Sequence, residues 1–265
     1  RKPVHVPLAK TPLPKMPFLP RFGLRLFLEP TFADVTYFGY GPIESYPDKH
    51  HDAKLGLYTS DIDSLHEDYL RPQENGSHWN CSGLALTSSD HRSLLVSGAQ
   101  NFSFSASAVV KFSGAQTASA ASAVAVEDLE NELVISGTAF RYVYDKWKGT
   151  FTALVKNQKN LIAQPIQLNI WRAPLDNDRR IRWEWEAAGY DRARTKVYAT
   201  EWTQDEEAVT VTSTYSLAAV YLQRIIEGTI TWKVAKDGTL TVTVDGERKP
   251  VHVPLAKTPL PKMPF

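Results

Sequence analysis

The chain has 265 residues, of which 43% are hydrophobic and 11% aromatic, so it can bury a sizeable core as a globular protein. Its 30 Lys and Arg residues balance 29 Asp and Glu residues, and the net charge of +1 excludes the broad basic field typical of proteins that bind nucleic acids or anionic membranes. The single cysteine, Cys81, excludes an intramolecular disulfide, and no apolar run reaches the ~18 residues of a membrane span, so we expect a soluble cytoplasmic protein.

The first eighteen residues, RKPVHVPLAKTPLPKMPF, return unchanged as the last eighteen, residues 248–265. Five prolines in each copy remove backbone donors and exclude a helix or a central strand, so we expect extended chain at the surface. Two copies cannot both fill one position in a fold. Either one copy is a spare, disordered tail, or it occupies the equivalent position in a neighbouring molecule by strand exchange, which would make a homo-oligomer.

Alternating apolar and polar residues predict strands with one buried face along most of the chain. The clearest runs are 22–29, 140–144, 167–171, 208–215, 224–234 and 239–244. We predict at most a turn or two of helix at 61–70, with Asp61 or Asp63 as its cap, and at 183–188. The fold class predicted is therefore all-β, of the sandwich type. Residues 113–124 are rich in Ala and Ser and indicate a flexible linker between two segments.

Several unusual motifs carry a family resemblance. They are WRAPLDND at Trp171–Asp178, EAAGY at Glu186–Tyr190, LPRFG at Leu19–Gly23, GYGPIESYPD at Gly39–Asp48 and RPQENG at Arg71–Gly76. With them the chain resembles the C-terminal β-sandwich domain of glycoside hydrolase family 2 β-galactosidases, which also occurs in their small subunits. The resemblance implies a large antiparallel β-supersandwich of the galactose mutarotase-like type.

The order of the motifs differs from that of the family. Residues 125–265 resemble the earlier half of the domain and residues 19–112 the later half, with the linker 113–124 between them. A circular permutation explains this order together with the duplicated ends, because exposed loops tolerate new termini. We therefore expect 19–265 to be one folded unit, with 1–18 as the spare copy of 248–265. The order alone is compatible with a natural and with an engineered rearrangement.

Catalysis is not expected from this chain alone. Retaining glycosidases use two carboxyl groups about 5 to 5.5 Å apart, and the resemblance implies that both glutamates lie on a (β/α)₈ barrel absent here. The acidic pairs of the chain are more simply explained as turn caps and loop anchors. These pairs are Glu44 with Asp48, Asp61 with Asp63, Glu67 with Asp68, and Asp176 with Asp178.

No cofactor is expected in this chain, although the resemblance implies a divalent metal in the whole enzyme. His50 and His51 are adjacent and lack a third ligand at a recognisable spacing, so we do not predict a metal site there.

The residues after Pro174 are the best candidates for a cleft wall. In the resembled enzymes the segment that follows this motif borders the active-site entrance, which corresponds here to Arg179–Trp183. The cleft-facing candidates are Arg172, Asp176, Asn177, Asp178, Arg179 and Trp183, although Arg172 could equally pair with one of the acids. Trp79 and Trp185 lie in polar company and are candidates for stacking on a sugar. Trp171, Trp202 and Trp232 lie on alternating strands and are expected in the core.

The sequence therefore favours a non-catalytic sandwich module of a β-galactosidase, which covers the barrel of a catalytic partner or large subunit and lines one side of the galactoside cleft. Two other readings stay open. One is a free-standing carbohydrate-binding module, and the other is an assembly domain that exchanges strands.

Overall fold

The computed structural model describes residues 17–71, 73–107, 124–220 and 222–248. These residues form fifteen strands, paired throughout in antiparallel sheets, and one short helix, α1 (Arg182–Ala187), which confirms the all-β prediction. The strands are β1 (Gly23–Leu28), β2 (Phe32–Gly41), β3 (Lys54–Asp61), β4 (Ser77–Ser88), β5 (Ser93–Ser105), β6 (Ala125–Asp128), β7 (Glu132–Ser136), β8 (Phe140–Asp145), β9 (Thr150–Lys156), β10 (Lys159–Asn160), β11 (Ile162–Asn169), β12 (Arg194–Gln204), β13 (Ala208–Ala218), β14 (Ile226–Ala235) and β15 (Leu240–Arg248). The predictions for the linker and for strand exchange by the duplicated segment lie outside the described residues.

Four sheets result. Their strand orders are β10-β9-β8-β7-β6, β12-β13-β14-β15, β3-β2-β4-β5, and the pair β1-β11. The alternating sequence of β14 shows why such strands have one buried face: Ile230, Trp232 and Val234 point inward, while Thr231 and Lys233 point the other way. The same period of two holds along β13, its neighbour in the sheet.

The larger core lies between the five-stranded sheet and the β12–β15 sheet. Phe151 of β9 meets Trp232 of β14 edge to face, with ring centroids 5.3 Å apart. The hydroxyl groups of Tyr144 and Ser213 hydrogen-bond across the two sheets at 2.8 Å. Sheet therefore packs on sheet, as the sandwich prediction requires. Of the three tryptophans expected in the core, Trp232 is fully buried, whereas Trp171 and Trp202 pack against the core and are partly exposed.

A second, smaller core lies on the inner face of the β3-β2-β4-β5 sheet. Cys81 is fully buried there, and this burial raises the pKa of its thiol to about 11, so the side chain behaves as a small apolar group. Gly39 lies opposite: a Cβ at this position would be 2.4 Å from the Cys81 sulfur. The close approach of β2 and β4 thus requires glycine.

The pairing of β1 with β11 joins the two sequence blocks. β1 belongs to residues 19–112 and β11 to residues 125–265, yet Leu24 lies opposite Leu168 in a shared ladder. Leu28 and Leu161, one from each block, pack against both cores. Arg92 adds a hydrogen bond of 2.8 Å to the carbonyl of Asn160. The two blocks therefore share an interior.

Two elements depart from the predicted bounds. Within the predicted helix at 61–70, only Asp63–Leu65 forms a 3₁₀ turn. The Asn75 side chain accepts a hydrogen bond of 2.9 Å from the Glu67 amide and holds the chain extended there. The strand predicted to reach Trp171 ends at Asn169, whose side chain bonds the amide and the carbonyl of Trp171. The helix predicted at 183–188 is confirmed as α1. Within the described ranges no helix has the length and apolarity to cross a bilayer.

His78 is a buried titratable group in the smaller core. Its ring lies 4.4 Å from that of Tyr37 and 5.2 Å from that of Phe104, and its Nδ1 lies 3.4 Å from the Tyr40 carbonyl oxygen. Burial lowers the pKa of His78, while the Tyr40 carbonyl and the Glu44 carboxylate oppose this effect without cancelling it. The folded state therefore favours the neutral imidazole.

This preference predicts a loss of stability in mild acid. As the pH falls below the ordinary histidine pKa of 6.5, the unfolded chain binds a proton at His78 that the folded chain resists, so the free energy of unfolding falls with pH. Chemical denaturation between pH 7.5 and 5 should show this fall, and it should be smaller for His78→Phe. His66→Phe, at an exposed position, is the control and should give the same pH profile of stability as the wild type. Identical profiles for wild type and His78→Phe would contradict the prediction.

Candidate functional site

Residues from four remote motifs come into contact in one region, which we call the motif junction. Its members are Arg21, Asp48, Glu74, Arg172, Asn177 and Asp178. They come from LPRFG, GYGPIESYPD, RPQENG and WRAPLDND, the motifs of the family resemblance. The fold thus gathers into one place segments that lie up to 157 positions apart, from Arg21 to Asp178.

Arg172 and Asp178 form a two-pronged ion pair at the base of the junction. Arg172 Nη1 lies 2.5 Å from Asp178 Oδ2, and Nη2 lies 3.2 Å from Oδ1. The backbone amide of Leu175 also donates to Oδ2 at 2.7 Å, which closes the turn after Pro174. The remaining guanidinium donor, Nε, bonds the Pro20 carbonyl at 3.2 Å. Both side chains are largely buried, so the pair fixes the loop against the chain before β1.

Glu74 is the second buried acid of the junction. It accepts hydrogen bonds from the Arg21 guanidinium, from the Ser105 hydroxyl at 3.4 Å and from the Ala173 amide at 3.2 Å. One carboxylate therefore holds the chain before β1, the end of β5 and the loop after β11. Such a group is costly to bury unless each oxygen has a partner, and here each oxygen has one.

Glu44 anchors the neighbouring loop in the same manner. It is 6% exposed and accepts from Lys49 Nζ at 2.6 Å, from the Tyr46 hydroxyl at 3.2 Å, from the Gly76 amide at 3.2 Å and from the Tyr69 hydroxyl. Burial, followed by the Glu44 charge, raises the pKa of Tyr46, so this phenol stays a donor. The loop-anchoring role predicted for Glu44 is confirmed, whereas sequence reasoning missed that of Glu74, because burial of an acid cannot be recognised from its neighbours in sequence.

At the surface the junction presents polar side chains. Asn177 Nδ2 donates to Asp48 Oδ2 at 3.1 Å, and both residues are exposed. Asp176 and Arg179 are also exposed, and Trp183 is 63% exposed with the Arg182 guanidinium over its ring. Of the cleft-facing candidates, four are thus exposed, namely Asp176, Asn177, Arg179 and Trp183. Arg172 and Asp178 form the buried base of the junction.

The two sugar-stacking candidates differ in access. Trp185 is fully buried on the inner side of α1, where its indole N–H donates to the Phe18 carbonyl at 2.9 Å, so a sugar cannot reach it. Trp79 is half-buried, stacks on Tyr40 at 5.4 Å and contacts the tilted ring of His50 at 4.4 Å. His51 extends this cluster by stacking on His50, at 5.1 Å. Among the described residues, no group of three or more metal-ligating side chains comes together.

The carboxyl groups of the chain behave as structural acceptors. In the described ranges, every carboxyl group with a shifted pKa has it lowered by hydrogen bonds or a nearby cation, as Ser64 does for Asp61. A glycosidase acid requires the opposite, a raised pKa. Asp61 receives the Ser64 amide at 2.8 Å, which confirms its predicted capping role. The arrangement can therefore position loops.

A shallow groove of about 300 Å³ lies apart from the motif junction, on the β12–β15 sheet. It is lined by Tyr198, Thr214, Tyr215, Arg224 and Glu227. Arg224 lies over the Tyr198 ring at 5.1 Å and forms an ion pair with Glu227. Its charged groups are thus already paired within the groove, and we regard the motif junction as the better candidate site.

Removing one partner of the buried ion pair should destabilise the protein strongly. Asp178→Ala leaves the Arg172 guanidinium buried without its carboxylate, so we expect a loss of about 3 to 5 kcal/mol in the free energy of unfolding. Asp176→Ala removes an exposed acid two residues away and should change it by no more than about 0.5 kcal/mol. Urea denaturation measures both values. A loss below about 1 kcal/mol for Asp178→Ala would show that the pair does not anchor the loop.

Comparison with known proteins identifies the family. The β-galactosidase of Actinobacillus pleuropneumoniae is 40% identical over 115 residues, which are 43% of this chain and 11% of that protein. The β-galactosidase of Staphylococcus xylosus is 33% identical over 112 residues, 42% of this chain and 11% of that protein. The chain thus spans about a tenth of the length of these relatives. Residues 2–132 and 136–263 match the family described as beta galactosidase small chain, and the protein therefore belongs to that family.

Proposed function

We propose that this chain is the β-sandwich module of a β-galactosidase, which covers the catalytic barrel of a larger chain and lines one side of the cleft where terminal β-galactosides are hydrolysed. Its membership in the small chain family carries the proposal. The short span relative to the matched β-galactosidases supports it, because about nine-tenths of each relative lies outside the matched region.

The module is non-catalytic by itself in this proposal. The described residues contain a single α-helix, which is six residues long, whereas a (β/α)₈ barrel needs eight helices. The buried acids of the motif junction, Glu74 and Asp178, are each held by an arginine and a backbone amide. Both carboxylates are therefore engaged in holding segments of this chain together.

The cleft wall of the proposal is the outer surface of the motif junction. Asp176, Asn177 and Arg179 are short or charged side chains able to hydrogen-bond sugar hydroxyl groups, and Trp183 offers an exposed ring. The Arg172–Asp178 pair fixes the backbone of the loop that carries Asp176, Asn177 and Arg179. A rigid base of this kind supports orientation of a substrate held mainly by another chain.

An activity measurement tests the proposal. The purified chain should not hydrolyse a chromogenic galactoside. It should raise the activity of the Actinobacillus pleuropneumoniae β-galactosidase at least tenfold when that enzyme lacks the region matched by this chain. The gain is expected because the module supplies the missing wall of the cleft.

An unfolded preparation of the chain serves as the control and should give no gain. Turnover by the chain alone, or no gain with the folded chain at saturating concentration, would contradict the proposal.

We further propose that residues 125–265 precede residues 19–112 in the order of the family domain, so that Phe265 corresponds to the residue before Leu19. The family match supports this order, because it falls into two blocks that each hold one copy of the duplicated segment.

The contacts of Tyr190 give independent support. Its hydroxyl donates to the Pro17 carbonyl at 2.7 Å, and the Arg248 guanidinium is close enough to oppose the effect of burial, which raises the pKa of this phenol. Arg248 opens one copy of the segment and Pro17 nearly closes the other. If Phe265 directly preceded Leu19, both ends of a single eighteen-residue segment would therefore lie at the Tyr190 side chain.

A rearranged chain tests the order. It would run from Val124 to Phe265, continue directly with Leu19 and end at Ser107, so that Pro264 and Phe265 replace Pro17 and Phe18 against Tyr190 and Trp185. The connection that is opened, residues 108–123, and the one that is closed, residues 249–263, have similar lengths, so the closure entropy changes by only about 0.1 kcal/mol. We expect a thermal midpoint within about 4 °C of the original chain, measured by circular dichroism.

The control is a chain of the same composition opened between Thr212 and Ser213, inside the paired strand β13, which should not fold. If the rearranged chain failed to fold, as is expected of the control, the proposed order would be wrong.

A further inference from the structure

The outer face of the β3-β2-β4-β5 sheet carries no charged side chain over most of its width. Alternation places Thr36, Phe38 and Tyr40 of β2 on this face, because Val35 and Tyr37 point into the smaller core. The cross-strand rows are Leu55–Tyr40, Leu57–Phe38–Gly83–Ser97 and Thr59–Thr36–Ala85–Leu95, and the polar row Asp61–Asp34–Thr87–Ser93 bounds them at one end. We call the residues of the first three rows the apolar face.

The large side chains of the apolar face are well exposed. Phe38 is 44% exposed, Leu55 54%, Leu57 70% and Leu95 75%. Gly83 lies beside Phe38, and a Cβ there would meet nothing within 4 Å, so the row dips between Phe38 and Ser97. A monomeric soluble domain rarely leaves such a contiguous apolar surface in water.

The other four-stranded sheet provides an internal comparison. The outer face of β12–β15 has the rows Thr210–Lys233–Thr241, Thr212–Thr231–Thr243, Thr214–Thr229–Asp245 and Ser216–Glu227–Glu247. Hydroxyl and charged groups there suit a face that meets water. The sequence therefore distinguishes two sheets of the same size, and the β3-β2-β4-β5 sheet exposes four large apolar side chains on its outer side, Phe38, Leu55, Leu57 and Leu95.

Packing among the described residues does not explain this difference. The opposite side of the sheet already buries Val35, Tyr37 and Leu84 in the smaller core. Exposure of Leu57 and Leu95 lowers solubility and brings no contact in the described structure. A surface of this kind is typical of an interface.

We infer that the apolar face is the surface on which the larger chain of the β-galactosidase docks. The inference rests on the proposed function, since the chain spans about a tenth of its relatives and the remainder offers the partner. Tyr40 belongs to the face and stacks on Trp79, and the loop that begins at Tyr40 ends at Asp48, which holds Asn177. The face is thus continuous with the motif junction, so a large chain seated on it also reaches the proposed cleft wall.

Binding to a defined large chain tests the inference. The probe is the Actinobacillus pleuropneumoniae β-galactosidase lacking the region matched by this chain, immobilised for interferometry. Leu57→Lys and Leu95→Lys place a charge on opposite edges of the apolar face, and both should weaken the Kd at least tenfold. Thr243→Lys adds the same charge at an exposed position of an edge strand in the polar sheet and should leave the Kd within twofold. Circular dichroism and thermal unfolding show whether each variant folds.

The outcomes separate the two proposals. Tight binding by wild type and by both folded leucine variants would overturn the docking inference and leave the proposed function standing. No binding by wild type would overturn both. Self-association of the chain that Leu57→Lys abolishes, with binding to the large chain unchanged, would assign the face to a second copy and also overturn the inference.

Discussion

The structure depends on the antiparallel pairing of β1 with β11. These strands come from the two sequence blocks, and their ladder brings Leu28 and Leu161 to the boundary between the two cores. Without this ladder the smaller sheet would keep its own apolar interior and lose its attachment to the sandwich. The motif junction also depends on it, because Arg21 precedes β1 and Arg172 follows β11, so the pairing sets the distance between Glu74 and the loop it holds.

Buried carboxylates then convert this proximity into a fixed surface. Glu44 and Glu74 each accept hydrogen bonds from several segments, Asp178 accepts three from Arg172 and Leu175 of its own loop, and none of the three acids is exposed by more than a tenth. Acids in such positions are retained for geometry, since an apolar core is easier to build than a satisfied ionic one. This explains why acidic residues recur in the motifs that meet at the junction.

Much of the fold could be predicted from the sequence, because a strand with one buried face has a period of two that local composition records. The strand β14 and the short helix α1 follow that rule. The prediction was wrong where a distant side chain decides the backbone, as Asn75 does for Glu67. For the candidate site, the motifs identified which segments contribute residues. They did not indicate how deeply each residue is buried. Trp185 and Trp183 are two positions apart on one helix, so their opposite exposures follow from where α1 packs, which no local pattern records.

The two four-stranded sheets show what can be learned from a face that does not enter the core. Inner faces must be apolar for folding, so they say little about function. Outer faces are free to vary, and here one is a ladder of threonine and charged residues while the other exposes Phe38, Leu55 and Leu57. The two outer faces differ although they belong to one chain. In the docking inference, the difference reflects what each sheet contacts, which is water for the β12–β15 sheet and the larger chain for the β3-β2-β4-β5 sheet. A module that is a tenth of its relatives is expected to differ in this way between the side that meets water and the side that meets the remaining nine-tenths.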